Sequence, residues 1–234
     1  MTSGPISVRV LETFVGRPAP IGSTRNGEVT SAIRKTSVPG HTVTLGAINL
    51  AGDDQADRSV HGGPDKSVYF YPSEHAAEWQ AEGFDLAPGS VGENVALAGA
   101  LETDVHIGDV WRWGTARIQI SQPRAPCFKL TMHAGRKDIG PRMIETKRSG
   151  WYVRTLQPGT IETRGGLELV ERDDEAPTVA ECFAVMFPGI HAEADDPAVV
   201  QRVVQCATLA PEWLGYLTAR NPLAVATRAS RRSR

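Results

Sequence analysis

The stretch Arg117–Leu130, RIQISQPRAPCFKL, contains four alternating residues, then two prolines, then a cysteine. Polar and apolar residues alternate from 117 to 120, and this period of two predicts a β-strand. Proline fixes its own φ and pushes the preceding residue toward extended backbone, so the segment after the strand is stiff and non-helical. The sequence therefore predicts a rigid segment that presents the thiol of Cys127 shortly after the cation of Arg124.

The thiol of Cys127 has two interpretations from this stretch alone. A nearby cation such as Arg124 favours the thiolate, which is the form of cysteine that acts as a nucleophile and as a metal ligand. A free cysteine is, however, most often a small buried hydrophobic residue. The stretch leaves both interpretations open, and the rest of the chain has to decide between them.

The composition is that of an ordinary soluble globular protein. Of the 234 residues, 41% are hydrophobic and 22% are charged, and the formal net charge is −2. This balance gives no argument for binding to nucleic acid or to a membrane surface. No apolar run approaches the ~20 residues that span a bilayer, and the N-terminus lacks the basic and then apolar pattern of a signal peptide.

Three cysteines, Cys127, Cys182 and Cys206, are widely spaced and include no Cys-x-x-Cys pair. An odd number at this spacing predicts neither a disulfide framework nor a zinc site. The simplest setting is therefore reduced and cytoplasmic, without membrane attachment. Because Cys182 and Cys206 fall in helical patterns, we expect both to be packing residues.

Short strand-like runs separated by glycine and proline continue up to about residue 172. Trp111 and Trp113 fall on one face of such a run, because side chains two residues apart point the same way in a strand. The pattern predicts a mainly β domain over residues 1–172, with the form of a barrel or sandwich and a few short helices.

Two helical segments are expected within this β domain. Ser73 is placed as the N-cap of a short helix that stops at Gly83. Gly135 and a later Gly-Pro pair make one continuous helix through residues 131–144 doubtful.

After residue 172 the pattern changes from strands to amphipathic helices. Residues 178–181 form a capping box, Asp196 caps a second helix with proline at its first position, and a third helix begins near Pro211. These signals predict a three-helix C-terminal module over residues 173–221. The remaining residues, 222–234, are arginine-rich and are expected to form a basic, disordered tail.

Two glycine-rich loops place candidate ligand-binding groups between strands. In the first, His61 and Lys66 bracket Gly62 and Gly63, and paired glycines let the backbone approach a ligand closely and expose its N–H groups. The same His-Gly-Gly-Pro sequence is also good chemistry for an ordinary turn. In the second loop, Asn94 follows a glycine and a glutamate, where a polar pair is either a turn device or a ligand.

Two charged clusters lie near these loops. Arg34 and Lys35 are adjacent on a short segment, which usually marks a solvated face and leaves contact with an anionic ligand open. Asp53, Asp54 and Asp57 lack the spacing of a calcium loop, so we expect no metal site there.

The motifs occur in one order along the chain. They are Ser31–Lys35, Gly52–Asp57, His61–Lys66, Gly92–Asn94, Ile107–Asp109, Gln122–Cys127 and Gly150–Arg154. In this order the series resembles the MOSC domain family, which takes its name from the C-terminal domain of molybdenum cofactor sulfurase. More narrowly, it resembles the stand-alone bacterial YiiM-type members, which add a three-helix module at the C-terminus. The resemblance covers most of residues 30–220.

The resemblance implies a barrel-like β fold and a molybdenum–pterin cofactor. It implies that Cys127 is the thiolate ligand to molybdenum and the catalytic residue. It also implies contacts from other motif residues to the pterin, its phosphate or the oxo groups on the metal. These residues are Lys35, His61, Gly62, Gly63, Lys66, Asn94 and Arg124. Pyridoxal phosphate binding is also associated with the family as a whole, and we do not expect it in this chain.

The activity that the resemblance implies is that of an oxidoreductase. It would reduce small N-hydroxylated compounds such as hydroxylaminopurines and so detoxify N-hydroxylated bases. Electrons would come from a separate flavin or iron–sulfur protein, because the chain has no motif for either group. Two departures are visible: Gly165-Gly166 stands where relatives usually have Gly-Asp, and the N-terminal domain of the mitochondrial relatives is absent.

Two alternatives to a reductase remain. In the first, Cys127 carries a persulfide, or holds the cofactor for delivery, and the protein is a molybdenum cofactor or sulfur carrier without redox turnover of its own. In the second, Cys127 is an inert buried residue of a β domain. Fold and motif resemblance alone do not fix an activity.

Overall fold

The computed structural model describes residues 7–56 and 62–225, and these ranges form a strand barrel with short helices packed against it. The strands are β1 Val8–Val15, β2 Ala19–Thr24, β3 Gly27–Ser31, β4 Thr36–Ser37, β5 Thr42–Leu45, β6 Val68–Pro72, β7 Val95–Ala98, β8 Val110–Trp113, β9 Ala116–Pro123, β10 Trp151–Gln157, β11 Gly159–Glu162 and β12 Gly165–Glu171. The α-helices are α1 His75–Ala81, α2 Phe128–Ala134, α3 Ile139–Thr146, α4 Val179–Val185, α5 Pro197–Gln205 and α6 Pro211–Arg220. His61 and the end of the basic tail, residues 226–234, lie outside the described residues.

Seven strands of the described ranges close into a barrel in the order β12, β8, β9, β10, β6, β7 and β1, and β1 pairs back to β12. The neighbours are antiparallel except for β6 and β7, which run parallel. β4 adds to β1, while β2–β3 and β5–β11 form separate two-stranded ribbons. The predicted mainly β, barrel-like fold is confirmed.

The alternation seen in the opening stretch fixes which side chains fill the barrel. Ile118 and Ile120 of β9 are buried, whereas the glutamine between them is only half-buried. Trp111 and Trp113, predicted to share a face, are both buried in the same core, and the ring of Trp113 packs edge-on against Phe70 with centroids 5.5 Å apart. Burying large apolar side chains in this way is the main favourable term in folding.

The C-terminal helices share one hydrophobic core with the barrel. Phe183 of α4 and Trp213 of α6 belong to the same buried cluster as Ile120 of β9. The backbone joins the two parts as well, because the N–H of Ala210 donates to the carbonyl oxygen of Ser121 at 3.0 Å. Residues 173–221 are thus packed onto the barrel as part of one core. No helix in the described ranges is long and apolar enough to cross a membrane.

The helix starts in this segment agree with the sequence. The capping box between Thr178 and Glu181 is present at the start of α4, and the side chain of Asp196 accepts from the N–H of Ala198 at the start of α5. Cys182 is fully buried in α4, and burial raises the pKa of its thiol, as expected of a packing residue. Cys206 is half-buried against the same core.

Two expectations for the helices inside the β domain had different outcomes. The doubt about a continuous helix is confirmed, because α2 ends at Gly135, which has a left-handed backbone with φ of 66°. The N-cap prediction was wrong: Glu74 precedes α1, and no side chain caps it. The backbone N–H of Ser73 donates to the carbonyl oxygen of Leu97 in β7, and its own carbonyl oxygen accepts from the N–H of Ala76, so the backbone of Ser73 joins the barrel to the start of α1.

Gly150 allows β10 to begin in close contact with β6. A Cβ atom added there would lie 2.3 Å from the carbonyl oxygen of Phe70, and the residue has φ of 61°. Its carbonyl oxygen accepts from the N–H of Arg124 at 3.3 Å, and its own N–H donates to the Glu102 carboxylate at 2.7 Å. Glycine at this position therefore fixes where the proline-framed segment leaves the barrel.

Replacing Gly150 by alanine is expected to lower the free energy of unfolding by about 2–4 kcal/mol, from a left-handed backbone and a steric clash together. Gly135→Ala is the matched control, because Gly135 has a similar φ and no atom within 4 Å of an added Cβ. It should cost about 1 kcal/mol. Urea unfolding of both variants measures the difference. Equal costs would show that contact with Phe70 does not constrain this position.

Candidate functional site

A pocket beside the barrel is lined by five separate segments of the chain. They are residues 31–35, 53–56, 62–66, 91–94 and 124–129, joined by Tyr69 of β6 and Tyr152 of β10, and the cavity volume is about 90 Å³. The predicted site residues that line it are Lys35, Gly62, Lys66, Asn94, Arg124 and Cys127. Gly63 lies just outside the lining, where it precedes the short 3-10 helix Pro64–Lys66.

The local backbone presents the thiol of Cys127 to this pocket. Strand β9 ends at Pro123, residues 124–127 belong to no helix or strand, and Cys127 has an extended backbone with φ of −126° and ψ of 165°. Cys127 is the residue before the first turn of α2, and its side chain makes no capping hydrogen bond to that helix. The residue is half-buried. The proline-framed segment thus holds the sulfur at the cavity wall.

Arg124 is a buried cation in the lining of the pocket. Only 6% of it is exposed, and within the described ranges no carboxylate lies at ion-pair distance from its guanidinium. Its central carbon lies 5.3 Å from the ring centroid of Tyr69, and Nη1 donates to Met143 Sδ at 3.6 Å. A buried charge without a partner is costly. The surroundings of Arg124 therefore suit a negative charge supplied within the pocket.

The tyrosines around Arg124 do not supply that negative charge at neutral pH. Burial raises the pKa of Tyr69 and of Tyr152, so both phenols stay protonated. Burial opposes the positive charge of Arg124, yet the pKa of its guanidinium lies above its usual value because the acidic groups of Tyr69, Cys127 and Tyr152 surround it and attract the cation when they ionise. Of these neighbours, Cys127 is the one whose anionic form, the thiolate, a nearby cation favours.

Asp53 organises one wall of the pocket. Its carboxylate accepts from the Lys35 ammonium at 2.6 Å, from the N–H of Gly16 at 2.7 Å and from the Asn94 amide at 2.9 Å. Each of these groups comes from a different part of the chain. The carboxylate consequently fixes the loop that carries it against β1 and against the start of β7.

Asn94 lines the pocket, but its amide is fully engaged in holding the fold. The amide nitrogen donates to the Phe14 carbonyl oxygen at 3.2 Å as well as to Asp53, and Oδ1 accepts from the N–H of Tyr69 at 3.1 Å. An amide has two N–H donors and one acceptor oxygen, so these bonds occupy each of those groups. Asn94 thus positions the wall around a bound group.

The two predicted lysines each face a carboxylate. Lys35 pairs with Asp53, and the Lys66 ammonium lies 2.7 Å from Glu212 of helix α6. Lys129, which follows Cys127, also lines the pocket and is half-buried. The pairing of Lys66 with Glu212 links the pocket to the C-terminal helices.

The buried carboxylate of Glu93 fixes the backbone of the second glycine-rich loop through hydrogen bonds. Its buried carboxylate accepts from the N–H groups of Gly89 and Val91, at 2.5 and 3.1 Å, and burial raises its pKa. Gly92 then lines the pocket with φ of 85°, and a Cβ atom there would lie 2.8 Å from Ile33. The backbone of this loop can approach a ligand where a side chain would not fit.

Three residues of this site, Asp53, Tyr69 and Tyr152, have a role that the sequence does not predict. Asp53 stood in a cluster tested only as a calcium loop, and Tyr69 and Tyr152 stood in runs that indicated strands. The available signal for Tyr152 was its place in the Gly150–Arg154 motif. The signal for Asp53 is that its carboxylate lies in the Gly52–Asp57 motif, which follows the motif that contains Lys35.

The Lys35–Asp53 pair permits a double-mutant test of this wall. Asp53→Asn keeps the side-chain shape and removes the charge, so it should lower the free energy of unfolding by about 3–5 kcal/mol by leaving Lys35 uncompensated. Lys35→Met should cost less in the Asp53→Asn background than in the wild type. Urea unfolding of the four proteins gives the coupling energy. Strictly additive costs would contradict a direct pairing between the two charges.

The sequence is similar to a known domain family and to named proteins. The sequence profile of the MOSC domain matches residues 57–175. Protein YiiM of Escherichia coli strain K12 is 40% identical over 189 residues, covering 78% of this chain and 81% of that protein. A protein named Reductase from Gibberella moniliformis is 35% identical over 153 residues, covering 62% of this chain but 27% of that longer protein.

The fold agrees with these sequence matches. The crystal structure of YiiM from Geobacillus stearothermophilus superposes with a TM-score of 0.72 at 32% sequence identity, over 91% of this chain and 98% of that one. The domain profile, the relatives and the fold thus confirm the resemblance drawn from the ordered motifs. The chain belongs to the MOSC domain family.

Proposed function

We propose that this protein is a molybdenum-cofactor-dependent oxidoreductase that reduces N-hydroxylated compounds. The observation that carries the proposal is the buried Arg124 guanidinium, without a carboxylate at ion-pair distance in the described ranges, on a pocket that also presents the thiol of Cys127. The name of the Gibberella moniliformis relative, Reductase, supports a redox reaction, although this chain covers 27% of that protein.

The chemistry of the lining fits an anionic metal cofactor. A thiolate is a soft ligand suited to a sulfur-rich metal centre, and Cys127 would be the protein ligand to molybdenum. Arg124, Lys66 and Lys129 would face the negative charges of the pterin phosphate and the oxo groups. The loop backbones at Gly62 and Gly92 lie at the same wall and would admit close contact.

The proposed reaction is a two-electron reduction. The hydroxylamino compound R–NHOH takes up two electrons and two protons, the N–O bond breaks, an N–H bond forms, and the products are the amine R–NH2 and water. The bound molybdenum centre would supply the electron transfer to the substrate. The electrons would come from a separate protein that carries a flavin or an iron–sulfur cluster.

Side chains of this chain would orient the substrate and stabilise negative charge beside Cys127. Lys66 lines the same cavity wall as Cys127 and would donate a hydrogen bond toward the oxygen that leaves, while Glu212 balances its charge. Tyr152 is protonated at neutral pH, because burial raises its pKa, and offers a neutral O–H beside the thiol. Arg124, held under the pocket, favours the thiolate form that a metal requires.

Replacing Cys127 by serine tests the ligand role. Molybdenum and pterin per protein, measured on material made in a host that synthesises the cofactor, should fall by more than ~10-fold, since even outer partners of a metal ligand contribute about 10–100-fold to affinity. Cys206→Ser is the matched control, because Cys206 is also a half-buried thiol. It should retain the wild-type metal content. Equal molybdenum in the two variants would remove Cys127 from the ligand role.

Measuring turnover distinguishes the proposed reductase from a molybdenum cofactor or sulfur carrier. Cofactor-loaded wild-type protein, supplied with a reducing partner, should convert a hydroxylaminopurine to its amine. A loaded protein that shows no turnover, together with one added sulfur atom on Cys127 by mass spectrometry, would instead identify a sulfur carrier.

A further inference from the structure

Two stretches of sequence that reach the pocket contain cations and no acids. Residues 29–52 and residues 110–137 include neither aspartate nor glutamate, although the whole chain has a formal net charge of −2. Both stretches supply residues to the pocket lining. Because the chain as a whole is slightly acidic, this side of the pocket is a local concentration of positive charge, and such a field attracts a partner of opposite charge.

Arg34 lies where these two stretches meet at the surface. Its chain neighbours Ile33 and Lys35 line the pocket, whereas Arg34 is exposed and is not part of the lining. Burial and then the charge of Arg34 lower the pKa of His133 in helix α2, so the guanidinium lies near that helix. Within the described ranges no carboxylate is at ion-pair distance from Arg34 or from Lys129 of α2. The surface beside α2 therefore carries positive charge that the protein does not neutralise there.

Phe128 places an aromatic ring on the same surface. It is the first residue of α2 and follows Cys127 directly, so the two Cα atoms lie about 3.8 Å apart. With 57% of its surface exposed, Phe128 is the most exposed of the large apolar side chains that the structure describes, and it does not line the pocket. Helix α2 has 7 residues and is therefore about 10 Å long. We call the surface formed by Arg34, Phe128 and His133 the α2 rim.

The proposed reaction requires a partner beside Cys127. Reduction of R–NHOH consumes two electrons and two protons, and the chain has no sequence motif for a flavin or an iron–sulfur cluster. A single exposed apolar side chain needs no explanation. Phe128, however, adjoins the thiol and stands beside cations that have no carboxylate at ion-pair distance in the described ranges. Exposed aromatic residues and arginines of this kind are enriched in protein–protein interfaces.

We propose that the α2 rim is the docking surface for an electron-donating flavoprotein that presents carboxylates around the exposed edge of its flavin. Phe128 packs against that edge and Arg34 pairs with the carboxylates, while Lys129 adds its charge from the pocket lining. The proposal rests on the proposed reductase function, which supplies the electron acceptor. It adds the surface and the charge of the donor.

The aromatic ring at the centre of the rim favours a flavin over an iron–sulfur cluster. The benzenoid edge of a flavin is flat and apolar, and an aromatic side chain packs well against such an edge. An iron–sulfur cluster presents no ring. The electron balance agrees, because a reduced flavin releases two electrons and two protons as it returns to its oxidised form, and the reduction of R–NHOH to R–NH2 and water consumes the same number.

Equilibrium binding of an oxidised flavodoxin, a small acidic protein that carries FMN, tests the surface without turnover. Phe128→Ala should weaken its binding to cofactor-loaded protein about tenfold, because aromatic anchors contribute much of the affinity of an interface. Arg34→Glu should weaken binding about tenfold at low ionic strength and by less at high ionic strength, because salt screens exposed charges. Isothermal titration calorimetry measures both effects. The molybdenum content of both variants should match the wild type.

Two different reductants distinguish docking from the chemical reaction. With reduced flavodoxin as the donor and a hydroxylaminopurine as the substrate, both rim variants should raise the KM for flavodoxin about tenfold. Reduced methyl viologen is a small organic reductant that needs no protein interface. With this reductant both variants should keep the wild-type rate within about twofold, since neither side chain lines the pocket.

Two substitutions outside the rim serve as matched controls. Leu156→Ala removes an apolar side chain of β10 that is 48% exposed. Arg9→Glu reverses an exposed charge on β1, where Arg9 pairs with Gly166 of β12. Neither residue lines the pocket. Both variants should bind flavodoxin as the wild type does.

The outcomes separate the rim from the reductase. If the wild type binds flavodoxin but the rim variants bind it equally well, the rim is overturned and the reductase stands. If the wild type turns over with methyl viologen but does not bind flavodoxin, the acidic flavoprotein is overturned. If methyl viologen gives no turnover, the reductase fails and binding alone decides the rim: weakening by the variants supports it, and no binding overturns it. A single-stranded oligonucleotide that binds the wild type when flavodoxin does not would assign the rim to nucleic acid and overturn the proposal.

Discussion

The burial of the Arg124 guanidinium is the constraint around which this end of the barrel is built. Taking a cation out of water costs several kcal/mol unless the protein compensates it. Here the backbone N–H of Arg124 is tied to Gly150, and its side chain passes over the ring of Tyr69. Glycine at position 150 lets the backbone lie close to Phe70, and this fixes the position of Arg124, three residues before Cys127. The cation and the thiol are therefore placed by one short segment.

The neighbouring lysines play a different part from Arg124, although the sequence presents all of them as cations. Lys35 is neutralised by Asp53 and Lys66 by Glu212, so each pair contributes geometry more than net charge. A count of basic residues around the pocket would overstate its attraction for an anion. The electrostatic demand for a negative group comes chiefly from the buried guanidinium, since buried charges are screened least.

Much of the architecture could be predicted from the sequence because its signals are local. Alternation in β9, glycine and proline between strands, and the capping box at Thr178 depend on residues close together in the chain. The ordered motifs also indicated which segments meet at the pocket. What each residue does there could not be predicted in the same way. Asn94 has its amide engaged by Phe14, Tyr69 and Asp53, and strand register decides those contacts.

The sequence predicts the three C-terminal helices but not the surface against which they pack. Their amphipathic patterns identify apolar faces but not the surface that covers them. Helices of seven to ten residues, the lengths of α4 and α6, are marginal on their own in water. They persist because Phe183 and Trp213 complete the core of the barrel.

This shared core gives the two parts of the proposed site different freedom to change. Side chains of β9, β10 and the glycine-rich loops hold the thiol and the buried cation, so most substitutions there disturb the packing of the barrel. Tyr216 lies at an exposed position on α6, and half of its surface is in solvent. Substitutions at such a position cost little stability. Changes at exposed positions of α6 can therefore be made without altering how Cys127 and Arg124 are held.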